Sequence, residues 1–241
     1  MPLSPEQEWT LVACGLLALA DQVLTGGEAS RLLTLVDAYL GPDEQDHWMD
    51  LVSDRAALEA HFATMEPPTG DNHLGLLEHV WHVALADGEA SLTEIRVFEH
   101  VGERLGIPRD QLAVFRKKWT YEAMDDAEII AGLFNVLYTR TDPRGDDDLA
   151  RYTTLLGRLP LSQSRRERLR DAAGSPPTVE HLGELYARLT ERRQREVIRS
   201  IATRLIDNPK REAIRAIIDE VVQAAGGAAA GSVVEHFGTA K

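Results

Sequence analysis

Cysteine is almost missing from this chain: Cys14 is the only one in 241 residues. Without a second thiol there is no internal disulfide, no cysteine-built zinc site and no Cys-x-x-Cys redox pair, which points to a reducing compartment. Long hydrophobic runs are missing as well. The longest, Leu11 to Ala20, has about half the length a bilayer requires, and no Lys or Arg precedes it as a signal peptide needs. A cytoplasmic protein without direct membrane insertion is expected. Positive charge is scarce, with 26 Lys and Arg against 39 Asp and Glu and a net charge of −13. That balance repels nucleic-acid phosphate and anionic membrane surfaces, so no nucleic-acid partner is expected. The GxSxG, P-loop, GxGxxG and HExxH patterns are absent, and so are the paired ExxH motifs of di-iron bundles. Their absence removes the common hydrolase, NTPase, dinucleotide and zincin readings.

What remains is an ordinary globular composition, 44% apolar and 27% charged. At about one domain per 150 residues, a chain of this length holds two units. Charge divides it: residues 1–120 carry 8 basic and 20 acidic side chains, whereas 121–241 carry 18 and 19. The expected organisation is a helical domain over 1–122, a second over 123–225, and a flexible tail over 226–241. The boundary stretch Trp119 to Asp126 is not a Gly/Ser linker, so a short turn between helices is predicted there.

Periodicity is helical nearly throughout, and no alternating β-branched stretch competes with it, so the fold is predicted to be all-α with about a dozen helices. Leu74, Leu77, Trp81, Ala84 and Leu85 form an apolar stripe, with Glu78, His79 and His82 on the other side. Leu11, Ala18 and Leu19 give the first helix a similar one-sided pattern. Ile95, Phe98, Val101 and Leu105 do so for a later helix, and Ile198, Ile201 and Leu205 for the penultimate one. Prolines at 42, 108, 160, 176, 177 and 209 stand where helices begin or turns intervene. Cys14 lies inside the apolar run and is expected in the core, with no neighbouring charge to activate it.

A repeat orders these helices. Ala18-Leu19-Ala20-Asp21, then Glu28, Leu32, Val36 and Leu40-Gly41, recurs as Ala84-Leu85-Ala86-Asp87, then Glu94, Phe98, Val101 and Leu105-Gly106. A looser pair follows. Leu137 to Asp142, with Asp148 and Leu155-Leu156-Gly157, returns as Ala202 to Asp207, with Glu212 and Ile217-Ile218. The step from Asp142 to Asp207 nearly equals that from Asp21 to Asp87, whereas the step from Asp87 to Asp142 is shorter. Two double-repeat units in tandem are therefore predicted, the second degenerate.

The element Leu85-Ala86-Asp87-Gly88-Glu89-Ala90-Ser91-Leu92-Thr93-Glu94, set between two amphipathic helices and repeated, resembles the tellurite-resistance TerB-like family. The resemblance covers residues 8–120; residues 125–225 look like a second copy through the repeat alone. The first copy departs from the pattern with Asp21-Gln22, the third with Asp142-Pro143 and the fourth with Asp207-Asn208-Pro209. The resemblance implies small bundles of two pseudo-symmetric halves. It also implies a non-enzymatic interaction module in bacterial stress or defence, with protein partners in a membrane-associated stress complex or in a homo-oligomer. From the family's acidic loops it further implies that Asp87, Glu89 and Glu94, with Asp21 and Glu28 in the first copy, are oxygen ligands for a divalent cation such as calcium, manganese or magnesium.

A second reading of the same residues needs no metal. Ser91-Leu92-Thr93-Glu94 is a capping box, and Thr25-Gly26-Gly27-Glu28 repeats it; such a cap is worth about 1 kcal/mol. Counting Asp87 as loop position 1 puts Glu94 at 8, so the loop is not an EF-hand, whose bidentate Glu stands at 12. Histidines supply another alternative, a helical-bundle metalloprotein or metalloenzyme using Glu78, His79 and His82, with His73 and His100 as further zinc or iron ligands. The basic stretches Arg165 to Arg170 and Glu191 to Glu196 could contact phosphate, but interleaved Glu and absent aromatics favour solvated helix faces, or surfaces that meet the acidic N-terminal unit within the chain or between copies.

Overall fold

Ser4 opens the chain's first helix. Its hydroxyl accepts from the Gln7 amide at 3.2 Å while Gln7 Oε1 accepts from the Ser4 amide at 2.9 Å, and Pro5 fills the first helical position. The computed structural model describes residues 3–21, 26–86, 88–141, 146–204 and 210–226. Expectations resting on Thr25, Asp87, Asp142, Pro143, Leu205, Asp207, Asn208, Pro209 and the tail from 227 onward lie outside them. The described residues form twelve helices and no strand. None of these helices is long and apolar enough to cross a membrane.

The first helix, α1 (Pro5–Ala18), corrects the one-sided reading. Every residue from Trp9 to Ala18 is buried, while Leu19, assigned to the stripe, is only half-buried. No polar residue other than Cys14 interrupts Leu11 to Ala20, so the helix has no face that water could solvate and must be enclosed. It packs against α2 (Gly26–Tyr39), α3 (Pro42–Ser53), α4 (Arg55–Thr64), α5 (His73–Ala84) and α6 (Leu92–Arg104). Helix α5 is broader in its burial than its predicted stripe. Leu76, Leu77, Val80, Trp81, Val83 and Ala84 are buried, whereas Leu74 is 44% exposed. Arg104 of α6 closes the end of α4: its guanidinium lies over the Phe62 and Trp9 rings and donates to the carbonyls of Phe62 and Met65.

The chain divides into two compact units, Met1–Ala123 and Met124–Lys241. The division falls within the predicted boundary stretch, between Trp119 and Asp126, but no turn stands there: the stretch is part of one continuous helix of 33 residues, α7 (Arg109–Thr141). The reason is local: no Pro and only Gly132 interrupt that span, so nothing in it breaks a helix. In the C-terminal unit, α8 (Asp146–Gly157), α9 (Gln163–Asp171), α10 (Val179–Ala187), α11 (Glu191–Arg204) and α12 (Arg211–Ala224) join the end of α7. Leu137, Leu156, Leu159, Leu161, Ile201 and Ile214 lie at the centre of their core.

The basic stretches form ion pairs within the C-terminal unit. Arg193 makes a bidentate pair with Asp126 through Nε and Nη2, at 3.1 and 2.7 Å, and the two side chains are 13% and 20% exposed. Arg165 meets Asp125 and Glu128, and Arg168 meets Glu128 at 2.6 Å. These arginines engage α7 carboxylates of their own unit. Arg192 and Arg195 fit the solvated-face reading, half-exposed and paired four residues away with Glu196 and Glu191.

Two measurements check this architecture. Leu17 is fully buried, so Leu17→Ala is expected to lower the unfolding free energy by about 2–5 kcal/mol in denaturant titration. Burial pushes the Cys14 thiol up to about 12, which keeps it protonated and shielded at neutral pH. A thiol reagent should leave the native chain unlabelled and modify one site per chain in denaturant.

Candidate functional site

The repeat places two equivalent corners in the N-terminal unit. Helix α1 ends at Leu19 with φ −95° and ψ 9°, and α5 ends at Leu85 with φ −89° and ψ 9°. The Leu19 amide donates to Gly15 O and the Ala20 amide to Leu17 O. At the equivalent places of the second corner, the Leu85 amide donates to Trp81 O and the Ala86 amide to Val83 O. The following helices, α2 and α6, begin at Gly26 and Leu92, the same offset that separates Leu19 from Leu85. Asp21 is exposed at the first corner, and Glu89 is exposed at the second. Asp87 lies outside the described residues, between Ala86 and Gly88. Gly88 adopts φ 102° and its amide donates to Leu85 O at 3.0 Å, a conformation that favours glycine and explains the Asp-Gly step.

The two corners touch. A Cβ placed on Gly27 would stand 3.1 Å from the Ala86 carbonyl oxygen and 3.2 Å from the Ala86 Cβ. Glycine at 27 thus lets the start of α2 approach the backbone of the other corner. Just beyond, Glu28 and Glu94 each occupy the third residue of their helices, and both are buried, at 4% and 5% exposure. A carboxylate so placed favours the positive end of the helix macrodipole. The capping box at Ser91 is formed: Ser91 Oγ accepts from the Glu94 amide at 3.2 Å, and Glu94 Oε2 accepts from the Ser91 amide at 2.5 Å. One oxygen of Glu94 is therefore engaged in capping, as the second reading of these residues held. Whether its counterpart Thr25 caps α2 falls outside the described residues.

Arg55, which sequence reasoning passed over, binds the first corner from α4. Its Nη1 donates to Ala20 O at 2.6 Å and to Leu19 O at 3.3 Å, while Nε pairs with Glu59. The Leu19 and Ala20 carbonyls are thus held by a guanidinium. No short-range pattern links Arg55 to a corner so far upstream, so the sequence carried no signal for it.

The histidine alternative is not assembled by the described residues. His79 is exposed and its Nδ1 lies 2.8 Å from the Gly75 carbonyl of its own helix, and Glu78 and His82 are half-buried. His73 faces Pro68 O at 2.8 Å, and His100 packs edge-on to the Phe62 ring. Among the described residues no group of three or more His, Cys, Asp or Glu is placed to hold a metal ion.

In the C-terminal unit Asp148 is the third residue of α8 and is 5% exposed. Its carboxylate meets Lys210, at the start of α12, at 2.5 Å. The sequence reading named Asp148 within the repeat, but Lys210 had no place in it.

The local rules that shape the second corner set the size of two effects. Gly88→Ala forces an L residue into a left-handed backbone and should cost roughly 1–2 kcal/mol. Ser91→Ala removes one cap bond and should cost about 1 kcal/mol. Denaturant titration of the full chain measures both, and Gly88→Ala is expected to be the more damaging.

Residues 7–117 match the family model described as tellurite resistance protein TerB. Comparison with curated proteins and with solved structures finds no match. The matched span runs from the first turn of α1 into α7 and contains both touching corners. The helical pair, the Asp-Gly step and the buried third-position carboxylates thus all lie within the span, residues 7–117, over which the chain is similar to the TerB family.

Proposed function

We propose that the chain is a non-enzymatic TerB-like module whose N-terminal unit binds a divalent cation at its paired corners and passes that state to a protein partner in a bacterial stress or defence response. The observation that carries the reading is the contact between Gly27 and Ala86, which sets two acid-bearing corners side by side. Asp21, Glu28, Asp87, Glu89 and Glu94 are the oxygen donors, with Glu94 sharing its carboxylate between the cap and the ion. A hard cation such as calcium, manganese or magnesium suits an all-oxygen set. Because one Glu94 oxygen serves the cap and Arg55 holds two nearby carbonyls, the affinity is modest, in the range of a sensor.

The C-terminal unit is read as a diverged second copy. Its support is the spacing of its helix starts, with α8 and α12 beginning at Asp146 and Arg211, the same offset that separates Asp142 from Asp207. The non-catalytic part of the reading rests on the sequence, which lacks nucleophile, P-loop and dinucleotide motifs. A cytoplasmic location fits the single buried thiol.

Calorimetric titration of the full chain with calcium, manganese and magnesium tests the proposal. At millimolar ion we expect saturable heat and a melting temperature raised by a few degrees, because a ligand that binds only the native state stabilises it. Asp87→Ala should abolish both signals. The absence of both heat and shift with all three ions would overturn cation binding.

A further inference from the structure

Helix α12 begins on a residue that helix electrostatics disfavour. Lys210 stands at its N-cap, makes no side-chain cap bond, and brings positive charge to the positive end of the macrodipole. Elsewhere in the chain Ser4, Asp54, Ser91, Ser162 and Thr178 cap helices with an oxygen, as the position prefers. The Lys210 ammonium is directed instead at the start of α8. It lies 2.5 Å from Asp148 Oδ2 and 5.3 Å from the centroid of the Tyr138 ring, and the Lys210 and Asp148 side chains are 19% and 7% exposed. The two partners stand far apart along the chain, with a separation of 62 residues. Asp148 holds the same third helical position as Glu28 and Glu94, and is buried as they are.

We infer that Lys210 is the resident counter-cation of Asp148, a tethered ammonium that joins the starts of α8 and α12 and makes that junction independent of dissolved ions. A buried carboxylate needs a compensating charge and hydrogen-bond donors. The ammonium supplies both, and the face of Tyr138 favours the same cation. Its tether gives it an effective concentration of about millimolar or more, so a solvent ion must displace a partner that never leaves. The contrast between units rests on the proposed function: the N-terminal corners take their cation from solution, the C-terminal junction carries its own. The chain would then read ion supply through one unit while the other keeps a fixed form.

Hydrogen exchange of the full chain, followed by mass spectrometry, tests this. Lys210→Met keeps the length of the side chain and removes its charge. It should speed exchange over residues 146–150 and 210–214 by about tenfold or more. Asp148→Asn should act on the same segments, and the double variant should exchange no faster than either single one. Should Lys210→Met fail to fold, the variant with Lys210→Met and Asp148→Leu together leaves no unpaired charge and is expected to recover. In the unaltered chain, millimolar calcium, manganese or magnesium should leave both segments unchanged. Unaltered exchange in Lys210→Met, additive losses in the double variant, failure of the charge-free pair to recover, or ion-induced protection of 146–150 would each overturn the inference. The same data over residues 26–30 and 88–96 report on the N-terminal unit separately, so failure of cation binding there is told apart from failure of the lysine contact.

Discussion

The organisation of the N-terminal unit depends on α1 having no side that water can solvate. An amphipathic helix can lie on a surface, but one buried from Trp9 to Ala18 has to be surrounded, and five helices surround it. Among them is α5, whose own burial spreads over most of its circumference. Because both of these inner helices end in the same cap geometry, the corners that follow them are brought within van der Waals distance. Gly27 against Ala86 is the visible result. The two corners thus owe their contact to apolar packing, since like charges supply no attraction of their own.

Charge is handled differently in the two units. The N-terminal one keeps a surplus of carboxylates, two of them buried at helix starts. The C-terminal one pairs its carboxylates with arginines from α9 and α11 and with Lys210. Exposed pairs such as Arg140 with Glu220 contribute at most about 1 kcal/mol each. The bidentate Arg193 and Asp126 pair and the buried Lys210 and Asp148 pair carry more weight, because solvent screens them less and their geometry is fixed from two sides.

Features set by neighbouring residues were legible in the sequence. Ser91 and Glu94, three apart, announced their capping box, and the recurrence of Ala18-Leu19-Ala20 as Ala84-Leu85-Ala86 anticipated matching helix ends at Leu19 and Leu85. Features set by distant partners were not. The change in charge near residue 120 suggested a turn, yet a helix runs through because charge composition does not break hydrogen bonds along a backbone. Leu74 fits the stripe by spacing and is nevertheless half-exposed, since periodicity defines a face but not how far along the helix its neighbours reach. Arg55 at the first corner and Lys210 at Asp148 join elements 35 and 62 residues apart. Which long side chain bridges such a distance is decided only when packing places the faces.

The length of α7 bears on how this protein can be divided. The family match ends at residue 117, just before Trp119, which is 4% exposed and stacks on Phe115 with its ring 5.4 Å away. One residue further, the Thr120 hydroxyl accepts from the indole N–H of Trp81 at 3.0 Å. A fragment trimmed to the homology limits would lose an aromatic plug of the first core and strand the Trp81 donor in an apolar setting. Excision of the first unit has to carry the helix through Ala123, so the cut falls within α7 and leaves a severed helical end on each piece.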